Sequence, residues 1–361
     1  MRIAITTGGG DAPGLNAVIR ASVLAAEQLG WEVYGIREGY DGLLDDDANG
    51  VTELTRASVR GITHRGGTIL GTTNRGNPLA WPVRGDDGAV VTVDRGDEVL
   101  ERLKGLGIDA LVAIGGDGSL RIAQKLADRG LKLVGVPKTI DNDLAATAVT
   151  FGFQTAVQTA TDALGRLHST AEAHQRVMVV EVMGRDAGWI ALFAGLGGTA
   201  DVILIPEIPY ALDCICEKVE SRYRGDRGFA IVVAAEGARP RGGDTVRQSA
   251  DPTTGAVRYG GIAEVLADEI GGCTGRETRS LVLGHLQRGG EPTAYDKVLA
   301  LRFGAAAIAL LERGDYGCMV ALDPPDVRGV PLAQAVEEIK RVPVDGDVVD
   351  TARRLGVSFG D

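Results

Sequence analysis

Short apolar runs closed by glycine alternate along this chain with longer stretches whose apolar positions recur every three or four residues. The first kind predicts buried strands and the second predicts helices. Arg2–Thr7 is a strand by this pattern, residues 15–29 a helix and residues 31–36 a second strand. Residues 109–114 form another, ending at Gly115-Gly116-Asp117-Gly118-Ser119, with a helix over 120–129 and a strand over 131–136 that stops at Pro137. The second half repeats the style. Strands are predicted at 175–182, ending in Met183-Gly184-Arg185; at 201–205; at 229–235, ending in Glu236-Gly237; and at 280–283, running into Gly284-His285-Leu286-Gln287-Arg288. Residues 296–312 have helical spacing. Such alternation predicts an α/β fold with largely parallel sheets covered by helices on both faces. The polar, glycine-rich stretches 84–97 and 239–255 are predicted surface excursions. No linker separates two independent domains, so interleaved lobes are expected.

Length and charge narrow the function classes. With 361 residues the chain suits two domains or one large α/β domain. Its net charge is −11, the wrong sign for a duplex nucleic-acid binder. Any anionic ligand must be held by local groups. Glycine supplies 52 residues, about twice the usual share of roughly 7%. That excess predicts many tight strand-to-helix turns and places where backbone meets ligand. The four cysteines, Cys214, Cys216, Cys273 and Cys318, are expected to be ordinary thiols, because a chain this long needs no disulfide framework. The N-terminal apolar run reaches glycine too soon for a signal-peptide core. No run approaches the roughly 18 apolar residues of a membrane span. A cytoplasmic protein without membrane or nucleic-acid partners is expected.

The candidate chemistry sits where strands end. In open α/β sheets that edge is where ligands bind. Thr7-Gly8-Gly9-Gly10-Asp11-Ala12-Pro13-Gly14 joins a strand to a helix, and glycines there let amide groups approach phosphate oxygens. The loop is neither GxGxxG nor GxxxxGK[ST], and Arg37, not an acid, follows the second strand, which disfavours a dinucleotide-binding dehydrogenase. A plain tight turn remains the bland alternative. In Gly115-Gly116-Asp117-Gly118-Ser119, Asp117 suits Mg²⁺, which commonly takes one or two carboxylates plus substrate phosphates; capping of the next helix is the alternative. Pro137-Lys138-Thr139-Ile140-Asp141-Asn142-Asp143 sets two carboxylates two residues apart. A phosphoryl acceptor needs such a base within hydrogen-bond reach. An Asx-type turn would also use these residues. Arg185 and Arg288 each follow a strand beside glycine, and guanidinium forks match phosphate oxygens.

Taken in order, GGGDAPGLNAVIR, IGGDGS, PKTIDND, QRVMVVEVMGRDAG and GRETRSLVLGHLQRGG resemble the phosphofructokinase family, from residue 1 to about 315. The resemblance implies two interleaved Rossmann-like lobes: a donor-binding lobe over 1–138, a sugar-phosphate lobe over 139–315, and a C-terminal segment, 316–361, packing back on them. It implies transfer of the γ-phosphoryl of ATP to the 1-hydroxyl of fructose 6-phosphate, with Mg²⁺ as cofactor. Gly10, Arg75, Gly116, Asp117, Gly118 and Ser119 would hold the donor, with Asp117 on the metal. Asp141 would be the base, with Thr139 and Arg185 beside it in the transfer. Thr139, Ile140, Asp141, Met183, Gly184, Arg185, Glu236, His285, Leu286, Gln287 and Arg288 would hold the sugar phosphate. Arg176 and Arg279 would reach it across a subunit interface, so a homodimer or homotetramer with shared active sites is implied.

Two positions bear on the donor. Pyrophosphate-using relatives carry Asp where this chain has Gly118, and Lys where ATP users have Gly in PGTIDND. This chain combines the ATP-like Gly118 with the pyrophosphate-like Lys138. Room beside the nucleotide decides access, so ATP is expected; a pyrophosphate-dependent enzyme is the alternative. A non-catalytic sugar-phosphate-binding relative would be expected to lose the base or an arginine, and Asp117, Asp141, Arg185 and Arg288 are all present.

Overall fold

A strand that is apolar on both faces must be covered on both sides, and β1 (Arg2–Thr7), buried from Ile3 to Thr7, is such a strand. The computed structural model describes residues 1–45, 50–73, 76–84, 90–224, 228–248 and 258–361. After β1 come α1 (Leu15–Gln28), β2 (Glu32–Ile36), α2 (Asp41–Leu44), β3 (Val51–Leu54), β4 (Trp81–Arg84), β5 (Val90–Val93), α3 (Gly96–Gly105), β6 (Ala110–Gly115), α4 (Asp117–Asp128) and β7 (Leu133–Pro137). The chain continues with α5 (Phe153–His174), β8 (Val177–Val182), α6 (Trp189–Gly197), β9 (Val202–Leu204), α7 (Leu212–Arg222) and β10 (Ala230–Ala235). It ends with β11 (Arg247–Gln248), β12 (Arg258–Tyr259), α8 (Ile262–Thr274), β13 (Thr278–Val282), the 3-10 turn Gly284–Arg288, α9 (Ala294–Arg313), β14 (Cys318–Asp323), β15 (Asp326–Pro331), α10 (Leu332–Ala335) and α11 (Asp347–Arg354).

Packing divides the chain into two units that exchange segments. The first holds Met1–Thr139, Leu144–Gly152 and Arg288–Glu338; the second holds Ile140–Asp143, Phe153–Gln287 and Ile339–Asp361. The first unit is built on a sheet of order β15-β14-β7-β6-β1-β2-β3. Its five inner strands run parallel and both edges are antiparallel. Helices α1 and α9 cover one face, where Leu15, Ile19 and Val23 pack with Phe303, Ile308 and Leu311. They approach closely because Gly304 has no side chain: a Cβ there would stand 2.5 Å from the Val18 carbonyl oxygen. Helices α3, α4 and α10 cover the other face through Leu103, Leu120, Leu126 and Leu332.

The second unit has a fully parallel sheet of order β13-β8-β10-β9. One of its faces is closed by α7 and α8, with Ile215, Val219, Leu266 and Ile270 against Val177, Val179 and Val232. The expected α/β class with mainly parallel sheets is therefore observed. The stretch 84–97 contributes β5, exposed at every position as a surface excursion should be, and β5 pairs antiparallel with β4. The expectation of four ordinary thiols needs correction: Cys216 on α7 is bonded to Cys273 on α8, with their Cα atoms 6.4 Å apart. Helix pairing, not sequence spacing, brings those two together; Cys214 and Cys318 remain thiols. Of the other excursion, residues 249–255 lie outside the described residues. No helix among the described residues is long and apolar enough to cross a membrane.

Candidate active site

In the first unit, the ends of β1 and β6 meet at glycines. The Gly8 amide donates to the Ile114 carbonyl at 3.0 Å, tying the loop after β1 to the end of β6. The Gly9 amide donates to Thr73 O at 3.1 Å. Ser119, in the first turn of α4, lies directly against both loops. A Cβ at Gly8 would sit 2.8 Å from Ser119 Oγ, and one at Gly115 would sit 2.3 Å from Ser119 Cβ. These glycines exist because the helix end comes this close. Gly116 caps α4 in extended backbone with no side-chain cap. The first-turn amides of a twelve-residue helix therefore lack a side-chain cap, which is the arrangement that attracts phosphate. Gly118 faces open space, with nothing within 4 Å of a Cβ built there.

Two cations bracket the same loop. Lys138 is buried, only 3% exposed. Its ammonium donates to the Gly10 carbonyl and its amide donates to Gly115 O at 2.9 Å. Arg288 Nη1 donates to Asp11 O at 3.1 Å. A Cβ at Gly10 would stand 2.9 Å from that Nη1, so glycine makes room for the guanidinium. Both oxygens of Asp117 accept from Arg121 Nε, at 2.9 and 3.0 Å, one helical turn on. Thr139 is nearly buried, and its carbonyl accepts from Thr150 Oγ1 at 2.7 Å. Arg75 lies outside the described residues.

The second unit gathers a second set at one edge of its sheet. Parallel register puts Val182 opposite Ala235 and Val282 opposite Glu181. The chain therefore leaves β8, β10 and β13 at one level, with Met183, Glu236 and His285 just beyond. Arg185 takes a left-handed φ of 50°, an uncommon conformation for a residue other than glycine. Two contacts hold it: its amide donates to Glu236 Oε1 at 3.0 Å, and Gly237 lets its carbonyl approach to 1.9 Å from where a Cβ would stand. Gly184, at φ 145°, takes the Ala187 amide on its carbonyl at 3.0 Å. Gln287 is fully buried and joins two strand ends, accepting from Met183 N at 3.4 Å and donating to Gly284 O at 3.1 Å. Leu286 instead is 70% exposed. Ile140, Asp141 and Asn142 are buried.

Arg176 and Arg279 are not gathered with this set. Arg176 immediately precedes β8, and Arg279 pairs with Met178 near the start of β13. The six residues of β8 separate Arg176 from Met183, about 23 Å over seven steps of roughly 3.3 Å. Both arginines converge on Glu277, at 2.8 and 2.6 Å. The Arg176 guanidinium, donating to Glu277, holds that carboxyl below its usual range. Sequence reasoning missed Glu207 and Lys340. Glu207 is buried enough that desolvation raises its pKa, opposed by amide donors that include Val342 and Gly188. Nothing in the local pattern around these two residues distinguishes them.

A family profile described as phosphofructokinase matches residues 2–311. An ATP-dependent 6-phosphofructokinase of Chloroflexus aurantiacus is 51% identical over 360 residues, covering 100% of this chain and 98% of its own length. A pyrophosphate–fructose 6-phosphate 1-phosphotransferase of Amycolatopsis methanolica is 51% identical over 346 residues, covering 95% of this chain and 96% of its own length. Among solved structures, the phosphofructokinase of Pichia pastoris in the T-state superimposes with a TM-score of 0.79 at 31% identity, over 93% of this chain. The chain spans only 35% of the length of that Pichia protein. The class defined by fold and strand-end loops is thus an α/β protein similar to sugar-phosphate phosphotransferases. This chain belongs to the phosphofructokinase family.

Proposed function

We propose that this chain is a glycolytic kinase that transfers the γ-phosphoryl of ATP to the 1-hydroxyl of fructose 6-phosphate, giving fructose 1,6-bisphosphate and ADP. The observation that carries the reading is the 51% identity, over the full chain, to a relative named an ATP-dependent 6-phosphofructokinase. The open space at Gly118 supports a nucleotide donor, because no side chain there crowds the α-phosphate.

In this reading Gly10, Gly116, Gly118 and Ser119 hold donor phosphates through the glycine loop and the start of α4. Asp117 is a carboxylate at the start of α4, and a hard cation shared with donor phosphates fits it. Arg121 now occupies both its oxygens, so a cation takes that place or is held through water. Mg²⁺, when bound, neutralises phosphate charge. Asp141 takes the proton of the sugar hydroxyl. Arg185 meets the charge developing on the transferred group, as a guanidinium fork suits. Met183, Gly184, Glu236, His285 and Arg288 hold the sugar phosphate, with Thr139 beside the transfer. Gln287 acts by fixing the loop around Met183. Arg176 and Arg279 serve a second copy of the chain; their place at the far end of β8 and β13 supports a homo-oligomer with shared sites. The cytoplasm, where both substrates occur, is part of the same reading.

One observation favours a second donor. The buried Lys138 ammonium beneath Gly10 adds a positive charge suited to pyrophosphate, and the Amycolatopsis relative bears that activity in its name. The test is direct. Purified protein with fructose 6-phosphate and Mg²⁺ receives ATP or pyrophosphate in turn. Faster turnover with ATP is expected; faster turnover with pyrophosphate assigns the donor to Lys138 instead.

A further inference from the structure

The C-terminal segment, silent in sequence, returns to the loop that carries Asp141. Within the second unit, the Lys340 amide donates to the Asp143 carbonyl at 2.8 Å. The Lys340 ammonium donates to Asn142 Oδ1 at 2.9 Å. Lys340 is in turn held from α6: Trp189 Nε1 donates to its carbonyl at 2.9 Å, and the Trp189 ring lies 5.6 Å from its Nζ. Two residues on, Val342 N donates to Glu207 Oε1 at 2.9 Å, and the same carboxylate accepts from Gly188 N at 3.1 Å. Gly188 ends the loop that begins at Met183. Residues 340–342 therefore fasten the Asp141–Asp143 turn to the Arg185 loop by named hydrogen bonds.

The turn needs fastening. Asn142 is only 3% exposed and sits at a left-handed φ of 52°. Asn tolerates that region better than most residues, but the position still has to be over-determined to persist. A base that must meet one hydroxyl gains from being held in one orientation, since small misplacements cost large factors in rate.

We propose that Lys340 is a positioning residue for the base: through Asn142 and the Asp143 carbonyl it locks the turn that presents Asp141. The proposal rests on Asp141 being the base, as above. It does not place Lys340 on substrate. Burial pushes the Lys340 ammonium down to about 8, against the opposing pull of Asp143. A buried cation kept at such a cost in desolvation is expected where its bonds matter.

The test compares Lys340→Met, which keeps the backbone bonds and removes the donor, with Asn142→Gly, which keeps the left-handed φ and removes the acceptor. For each, kcat and the KM for fructose 6-phosphate are measured with the donor the parent prefers. Each variant is expected to lose at least tenfold in kcat with KM within threefold. The double variant should lose no more than the worse single one, because both changes break one link. Lys340→Arg, which keeps a cationic donor, should recover part of the loss. A kcat within twofold of the parent for Lys340→Met, or losses that multiply in the double variant, overturns the proposal. If Lys340→Met does not fold, Asn142→Gly decides alone, by the same thresholds. A parent inactive with both donors overturns the functional reading and this one with it; an active parent with unaffected variants overturns this one alone.

Discussion

Gly118→Asp isolates the feature on which the choice of donor turns. The position lies in the first turn of α4, at an ordinary φ, and a Cβ there meets nothing within 4 Å. The fold therefore accommodates the side chain. Replacing glycine by alanine in a helix gains about 0.5–1 kcal/mol; aspartate, a weaker helix former, gains less, and its carboxylate near a helix N-terminus adds a few tenths. Thermal stability should stay level or rise slightly, so any lost activity is not lost folding. The donor meets a different balance. A carboxylate about 4 Å from a phosphate, at an effective dielectric near 20, is opposed by roughly 4 kcal/mol before cations and solvent compensate. If a third of that survives, ATP binding weakens about tenfold, at roughly 1.4 kcal/mol per decade. The assay is fructose 6-phosphate turnover with ATP and with pyrophosphate at matched Mg²⁺, for parent and variant. A loss above tenfold with ATP is expected, and with Lys138 already beneath Gly10 the pyrophosphate rate should hold or rise. ATP use within twofold of the parent, in a variant of unchanged melting temperature, would refute the argument from charge and room.

Three further outcomes are expected. Asp141→Asn should lower kcat by at least about 100-fold, the low end for a positioned acid–base group, with much less change in sugar-phosphate affinity; near-parental kcat at saturating substrate removes Asp141 from the role. Mixing inactive Asp141→Asn with inactive Arg279→Ala and allowing subunits to exchange should restore activity, because one hybrid site keeps both residues; no recovery despite measured exchange counts against a shared site. Thiol titration of unfolded, unreduced protein should find Cys214 and Cys318 only, with Cys216 and Cys273 appearing after reduction; four thiols before reduction would show the pair open.

The parallel cores were legible because burial on both faces leaves an unmistakable apolar run. β1, β8 and β10 lie within or on the stretches the sequence pattern marked. The hairpin of β4 and β5 was not, because Val90, Val91, Thr92 and Val93 are all exposed and no face is selected. Helix α5 also escaped: its buried positions Phe153, Ala156, Ala160 and Leu164 follow helical spacing, but alanines and threonines give it little contrast. The strand-end loops were visible as glycine clusters, and the structure explains several glycines by the approach of Ser119, Arg288 and the Arg185 backbone. What stayed hidden depends on chain return. Lys340 meets Asn142 from 198 residues away, and the two bonded cysteines are 57 apart; no local pattern encodes either meeting.

The exchange of segments between the units also governs how the molecule is made. The first unit lacks α9, β14 and β15 until residue 331 has been synthesised. Until then Leu15, Ile19 and Val23 have no Phe303, Ile308 or Leu311 to pack against, and β7 presents an unpaired edge. A ribosome adds about 5–20 residues per second, so the growing chain carries that apolar groove and open edge for many seconds. No single cut releases a complete unit, since the chain crosses at 139/140, 143/144, 152/153, 287/288 and 338/339. The first unit is complete only once residues 288–338 have emerged, and the second needs residues 339–361 as well, so neither core closes early.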